Sequence, residues 1–336
     1  MDELIRWAIT VMAIPDSVAV TATPVVRGGS DRTFYRLIWA NGRAMVMHYS
    51  REKKENTYFV TINGFLHSIG VAVPAILGHE MTKGFIAMED LGDDDLWSHR
   101  FDPWPVRRDL YRKTLSAISR LHAYDPMVFP VSDIPLMEGF DEALYRWERD
   151  YFRNNFVDGV CGMSWHKGEA KALEAELDAL AARLLAVPFT LIHRDFQSQN
   201  IMLRFGDPVL IDFQGMRMGN PFYDIGSLLY DPYVTMTEDE RTDLLACYND
   251  LSRVRMDWSA FLDRFRDAAA QRLMQALGAY GFLGLKKGRK AFLGHMAPGL
   301  ANLLAVTAKA VNLPILHEVA LRCSRSAMIA RLAHLS

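Results

Sequence analysis

Residues 191–213 read LIHRDFQSQNIMLRFGDPVLIDF. Two short apolar runs, 201–203 and 209–211, are joined by polar turns, and Asp195, Asn200 and Asp212 stand at their ends. Carboxylate and amide oxygens are hard ligands of the kind magnesium takes, an ion that keeps several waters and divides itself between one or two side chains and phosphate groups. No thiol or paired histidine lies nearby to suggest a softer metal. Asp195, placed after His193 and Arg194, can accept the proton of an attacking hydroxyl. Any one of these residues alone could simply cap a turn. The base, the amide after four intervening residues, the strand-turn-strand and the second acid together point to phosphoryl transfer.

The pattern H-R-D-x-x-x-x-N is the catalytic loop of protein-kinase-type phosphotransfer, and IDFQG at 211–215 stands where such enzymes carry D-F-G. The segments HRDFQSQNIML and VLIDFQGMRMGNPFYDIGSLLYDPY resemble the aminoglycoside phosphotransferase and choline kinase superfamily. Within it the nearest likeness is to bacterial kinases that phosphorylate the anomeric hydroxyl of N-acetylmuramate and N-acetylglucosamine. GGSDRTFYR near the start and QRLMQALGAYGF near the end extend the similarity over most of the chain. The resemblance implies an α+β, protein-kinase-like fold of two lobes. A small antiparallel-sheet lobe would span residues 1–91, and a large, mainly helical lobe residues 92–336.

It also implies ATP and magnesium as cofactors and a small-molecule alcohol as acceptor. Asp195 is then the catalytic base, and Asn200 and Asp212 the metal ligands. The turn Gly28, Gly29, Ser30 and Asp31, with Arg32 after it, would cover the nucleotide phosphates, since glycine lets backbone amides approach oxygen closely. His48 falls where a kinase places its phosphate-gripping lysine. This departure shifts the grip toward Arg32, Arg36 or the metal. Glu55, or Glu52 beside it, would orient that strand residue. Met88, Glu89 and Leu91 fall at the hinge, where backbone groups of Glu89 and Leu91 would meet adenine. His193 would brace the loop, and Asp224 would hold it in place. Gln197, Gln199 and Gln214 flank the site, and Gln271, Arg272 and Tyr280 are candidates for the acceptor pocket.

The 336 residues are 50% hydrophobic, enough for sizeable cores, and carry a net charge of −2. Residues 251–336 hold 13 Lys and Arg against four Asp and Glu, so the excess of acid lies entirely in the first 250. A basic C-terminal third fits solvated helices or an anionic acceptor, and weighs against a polycationic aminoglycoside. Nothing resembles a nucleic-acid recognition motif. No apolar run reaches the ~20 residues that span a bilayer, and MDELIRWAIT lacks a basic leader, so a cytoplasmic enzyme free of the membrane is expected. Cys161, Cys247 and Cys323 are expected to be reduced.

Periodicity predicts helices at 2–13, from Glu55 to Phe65, at 105–123, at 145–156 and at 169–185, and strands around Val25, Phe34–Ile38 and 44–48. The acids Asp93, Asp94 and Asp95 read as a solvated charge run. The C-terminal third reads as helices broken at Gly278, Gly281, Gly284, Gly288, Pro298 and Pro314, with a basic KKGRK patch at 286–290. Two other functions fit the same residues: a kinase of another small alcohol such as choline, homoserine or an aminoglycoside, or a nucleotide-binding regulator without catalysis, for which His48 is the sole support.

Overall fold

The computed structural model describes residues 2–25, 32–253 and 256–332. The phosphate-loop candidates Gly28, Gly29, Ser30 and Asp31 lie outside the described residues.

The chain opens with helix α1 (Asp2–Val11) and continues through β1 (Thr21–Val25), β2 (Thr33–Trp39) and β3 (Gly42–His48). Two short helices, α2 (Lys54–Thr57) and α3 (Phe59–Ser68), precede β4 (Ile76–Glu80) and β5 (Phe85–Glu89). The five strands form one antiparallel sheet in the order β1-β2-β3-β5-β4. The single helix expected from Glu55 to Phe65 is thus two, meeting at Tyr58. Side chains of a strand alternate between its faces, and β3 shows why that matters. Val46 packs with Leu4 and Ala8 of α1 and with Leu37, Phe85 and Ala87, whereas Met45 and Met47 face the larger core that contains Phe59 and Phe213.

The helical part comprises α4 (Trp104–His122), α5 (Glu142–Phe152) with a wider turn at Arg153–Val157, and α6 (Glu169–Leu185). Next come β6 (Thr190–Ile192), β7 (Ile201–Arg204), β8 (Asp207–Leu210) and β9 (Arg217–Gly219), and then α7 (Phe222–Leu229), α8 (Glu238–Leu251) and α9 (Trp258–Gly281). Helices α10 (Met296–Thr307), α11 (Pro314–Ser324) and α12 (Ala327–Leu332) complete it. Helix α9 is buried along most of its length, including the polar Asp267, Gln271, Arg272 and Gln275. A helix enclosed all round ordinarily carries apolar residues, so polar side chains inside it must answer to buried partners.

Gly278 and Gly281 do not break the chain; both lie within α9. A Cβ on Gly278 would stand 2.9 Å from the Phe152 amide nitrogen, and one on Gly281 2.3 Å from the Asn155 carbonyl oxygen. These glycines are where α9 and the end of α5 approach backbone to backbone. Pro298 and Pro314 likewise sit in first turns, inside α10 and α11, where a missing amide leaves no hydrogen bond unmade. All three cysteines are free thiols, and Cys161 lies within hydrogen-bonding reach of the buried Cys323. No helix among the described residues is long and apolar enough to cross a membrane.

Candidate active site

Two small antiparallel ladders position the site. Strands β7 and β8 close through Phe205 and Gly206, both with positive φ (55° and 79°), the geometry of a two-residue hairpin turn. At the open end of this hairpin the Ile211 amide donates to the Asn200 carbonyl at 3.0 Å, which sets Asn200 beside Asp212. Strands β6 and β9 pair Ile192 with Arg217, and β6 runs directly into residues 193–200.

That loop is held from behind. The buried Asp224 carboxylate accepts the His193 amide at 2.7 Å on one oxygen and the Arg194 amide at 2.8 Å on the other. His122 reaches the first oxygen at 3.1 Å, and the Tyr248 hydroxyl lies 2.7 Å from the other His122 nitrogen. Arg194 takes φ of 77°, a left-handed conformation that costs a non-glycine residue about 1 kcal/mol. Charge-assisted bonds to both amides hold it there. His193 is buried and its Nε2 lies 3.0 Å from the Ile211 carbonyl, tying the loop to the hairpin. Farther along, Asp231, also buried, accepts the Ser198 amide at 2.8 Å and its hydroxyl at 2.6 Å.

Asp195 sits between two guanidinium groups. Arg194 Nη1 donates to one carboxylate oxygen at 2.8 Å, and Arg272 Nη2, delivered by α9, lies 3.6 Å from the other. Burial alone would raise its pKa, but the Arg194 and Arg272 charges overrule it and hold the carboxyl at about 2. Asp195 is therefore ionised at every physiological pH. Asn200 Nδ2 donates to the Asp195 carbonyl at 2.9 Å, which turns the Asn200 amide oxygen to the side away from that bond. Asp212, at φ 64°, accepts Gln214 Nε2 at 2.8 Å and Arg32 Nη2 at 2.5 Å on a single oxygen. Behind it Phe213, fully buried, packs on Phe59 of α3 with ring centroids 4.7 Å apart.

A second buried carboxylate lies behind the catalytic one. Glu148 of α5 accepts the Tyr223 hydroxyl and Gln271 Nε2, each at 3.0 Å. Burial pushes its pKa above the ordinary range, against the pull of Arg194. Gln271 thus serves Glu148, and Tyr280 packs against Tyr233 and His295 with centroids 6.4 Å and 5.9 Å away. Of the three candidates on and near α9, Arg272 alone touches the catalytic carboxylate among the contacts described.

Several expected residues stand elsewhere. His48 is corrected: it shares the face of Val46, so its exposed ring turns toward α1 and meets Phe85 edge-on, centroids 5.4 Å apart. The residues of β3 on the site's side are Met45 and Met47. Among the described residues no hydrogen bond or ion pair joins Glu55 to His48, so Glu55 does not orient it. Arg36 is committed to the segment after β5, binding Asp90 at 2.8 Å and Asp93 at 2.9 Å. The Glu89 amide donates to the Ala75 carbonyl at 2.8 Å and cannot serve adenine as a donor. Met88 is buried in the main core, and Leu91 follows half-buried. Asp95, expected in solvent, is buried, and its carboxylate accepts the Ser98 amide at 2.8 Å.

Among the described residues no group of three or more His, Cys, Asp or Glu could hold a metal by itself. An all-protein cage is therefore absent there, but the hard oxygens of Asn200 and Asp212, side by side at the hairpin's open end, fit a magnesium ion that draws its other ligands from phosphates and water.

A family model described as the phosphotransferase enzyme family matches residues 21–258. The chain belongs to that family. It is an ATP-dependent phosphotransferase with an alcohol group as acceptor. It is similar to a protein of Pseudomonas putida named N-acetylmuramate/N-acetylglucosamine kinase, 25% identical over 312 residues covering 89% of this chain and 88% of that one. A protein of the same name from Pseudomonas aeruginosa is 26% identical over 318 residues, with the same coverage. Among solved structures, a choline/ethanolamine kinase family protein from Mesorhizobium loti superposes with a TM-score of 0.62 at 16% identity, covering 95% of this chain and 98% of that one. That likeness concerns the fold of this phosphotransferase.

Sequence reasoning passed over Asp231, Glu148 and Arg217. Asp231 stands in LLYDPY and Arg217 in IDFQGMR, both inside the quoted motifs, but their partners are distant in the chain.

Proposed function

We propose that the protein transfers the γ-phosphate of ATP to the anomeric hydroxyl of an amino sugar, N-acetylmuramate or N-acetylglucosamine. One observation carries the chemistry: the Asp195 carboxylate is fixed by Arg194 and Arg272 on a loop that Asp224 holds by two amides, beside the paired oxygens of Asn200 and Asp212. The acceptor rests on the shared name of the Pseudomonas relatives, supported by the arginines around Asp195, which would repel a cationic acceptor such as choline or an aminoglycoside.

In this scheme Asp195 receives the acceptor hydroxyl in a hydrogen bond and orients its oxygen for in-line attack. With a pKa near 2 it is a weak base, so it takes the proton late, once transfer has made that hydroxyl acidic. Asn200 and Asp212 would hold magnesium, which when bound supplies charge neutralisation at the phosphate oxygens. Arg32 lies against Asp212; in this scheme it and residues 28–31 would cover the phosphates. Residues 1–91 would act as the nucleotide lobe and 92–336 as the catalytic and acceptor lobe. The availability of ATP suits a cytoplasmic enzyme.

The test is magnesium-dependent ADP release with each sugar, paired with a reducing-sugar assay. Phosphorylation of the anomeric oxygen removes reducing power in step with ADP. If ATP binds but neither sugar is consumed, the acceptor assignment is wrong. If ADP forms while reducing power persists, the position is wrong.

A further inference from the structure

Arg217 is 8% exposed, at the start of β9 opposite Ile192, three residues ahead of Asp195 in the facing strand. Its Nε donates to the Gly215 carbonyl at 3.2 Å, and its guanidinium lies 5.6 Å from the centre of the Phe140 ring. The other buried arginines have acids: Arg107 binds Glu240 at 2.5 Å, Arg149 binds Asp178 at 2.9 Å, Arg241 stands 3.9 Å from Glu238, and Arg272 meets Asp195. Arg217 has no carboxylate within ion-pair distance among the described residues. Glu148 and Asp195 act on its charge only from beyond that distance, and each holds other partners. Burial, and then the Arg194 charge, draw its pKa down from the ordinary value. A guanidinium nevertheless remains protonated in a protein.

Burying a charge without a counter-ion is expensive, and proteins keep such groups where a ligand supplies the missing charge. Two anions reach this site, the nucleotide phosphates and any acid on the acceptor. The phosphate end is marked by Asn200, Asp212 and Arg32, whereas Arg217 stands on β9 against the Phe140 ring and, among the described contacts, touches none of those three. We propose that Arg217 binds a carboxylate carried by the acceptor and so makes the enzyme prefer an acidic amino sugar, N-acetylmuramate, over its neutral counterpart. This rests on the amino-sugar reading above. A planar guanidinium fork matches a carboxylate in bidentate fashion, and the Nε bond to Gly215 leaves the two terminal nitrogens to form it.

Arg217→Met and Arg217→Lys decide the matter, assayed with N-acetylmuramate, N-acetylglucosamine and ATP in turn. The ratio of kcat/KM for the acidic over the neutral sugar should fall roughly 10–100-fold in the methionine variant, mainly through KM for N-acetylmuramate. Lysine should restore part of the preference, which a merely structural role would not do. Equal losses on both sugars, or a rise in the KM for ATP matching that for the acidic sugar, overturn the assignment and give Arg217 to the fold or to phosphate. A wild-type enzyme that consumes both sugars without preferring the acid overturns it too, while the amino-sugar reading survives. A wild type inert on both overturns the amino-sugar reading and this inference together.

Discussion

The loop that carries Asp195 is fixed by partners on several elements, whereas the sheet side of the site touches Asp212 and Phe213 through Arg32 and the Phe59 ring. One region is organised before any ligand arrives. The loop of residues 193–200 hangs from Asp224 and Asp231, and its carboxylate is gripped by α9. The other presents methionines from β3 toward the core and turns His48 of the same strand to the opposite face. On the proposed reading, acceptor orientation is built into the fold, while nucleotide grip would depend on a few groups, Arg32 among them, that also touch the proposed metal ligand Asp212. Because phosphoryl transfer is mostly positioning and electrostatics, the first region should govern kcat and the second KM for ATP.

The sharpest way to break this division is Asp195→Asn. It keeps the shape and removes the charge that, in the proposed scheme, orients the hydroxyl and later takes its proton. Turnover should fall roughly 10²–10⁴-fold, with nucleotide binding by calorimetry close to wild type. In the wild type, the low pKa of Asp195 predicts a particular acid limb. A base is active while ionised, so activity attributable to this group persists through the ordinary carboxylate range and is lost only as pH falls toward about 2. A kcat profile controlled by a group titrating near pH 6 would show that Asp195 is not the residue that matters.

Next in size is Asp224→Asn, which touches no reacting atom. An asparagine has one acceptor oxygen for two amide donors, leaving a buried donor facing an NH2 group, a loss of about 1–3 kcal/mol. If Asp224 positions the catalytic loop, kcat should fall about 10²-fold, as a displacement of order 1 Å can cause, with KM for ATP little changed. A lowered melting temperature with normal kcat would demote Asp224 to stability alone.

The catalytic half was legible because its chemistry is local. His193, Asp195, Asn200 and Asp212 lie within 20 positions, and the tight β7–β8 hairpin returns the chain from Asn200 to Asp212. His48 was not legible because AMVMH is apolar on both faces of its strand, so no alternation fixes which side the histidine joins, and a shift of one residue reverses every side chain. Asp231, Glu148 and Arg217 escaped for a different reason. Each meets a neighbour supplied by another element, Ser198 for Asp231, Gln271 for Glu148 and the Phe140 ring for Arg217, and a lone charged residue carries no spacing that reveals such a partner. The glycines of α9 misled similarly, since close helix packing and a helix break ask for the same residue.

The smallest effects test the weaker half, and they come as a contrast. Arg32→Ala removes the one guanidinium seen to cross from the sheet to Asp212. It should raise KM for ATP about tenfold, the usual order for a lost charge-assisted bond, and leave kcat at saturating nucleotide within a few-fold. His48→Ala removes an exposed ring that packs on Phe85 on the far face of the sheet, so KM for ATP should move less than about twofold, as for most surface substitutions. Isothermal titration with ADP and magnesium compares both variants without needing the acceptor. Were His48→Ala to weaken ADP as much as Arg32→Ala, β3 would have to present its histidine to the phosphates when nucleotide binds. Flipping that side chain across the sheet would expel Met47 from the core it shares with Phe59 and Phe213, a rearrangement that a drop in melting temperature of the ADP complex would expose.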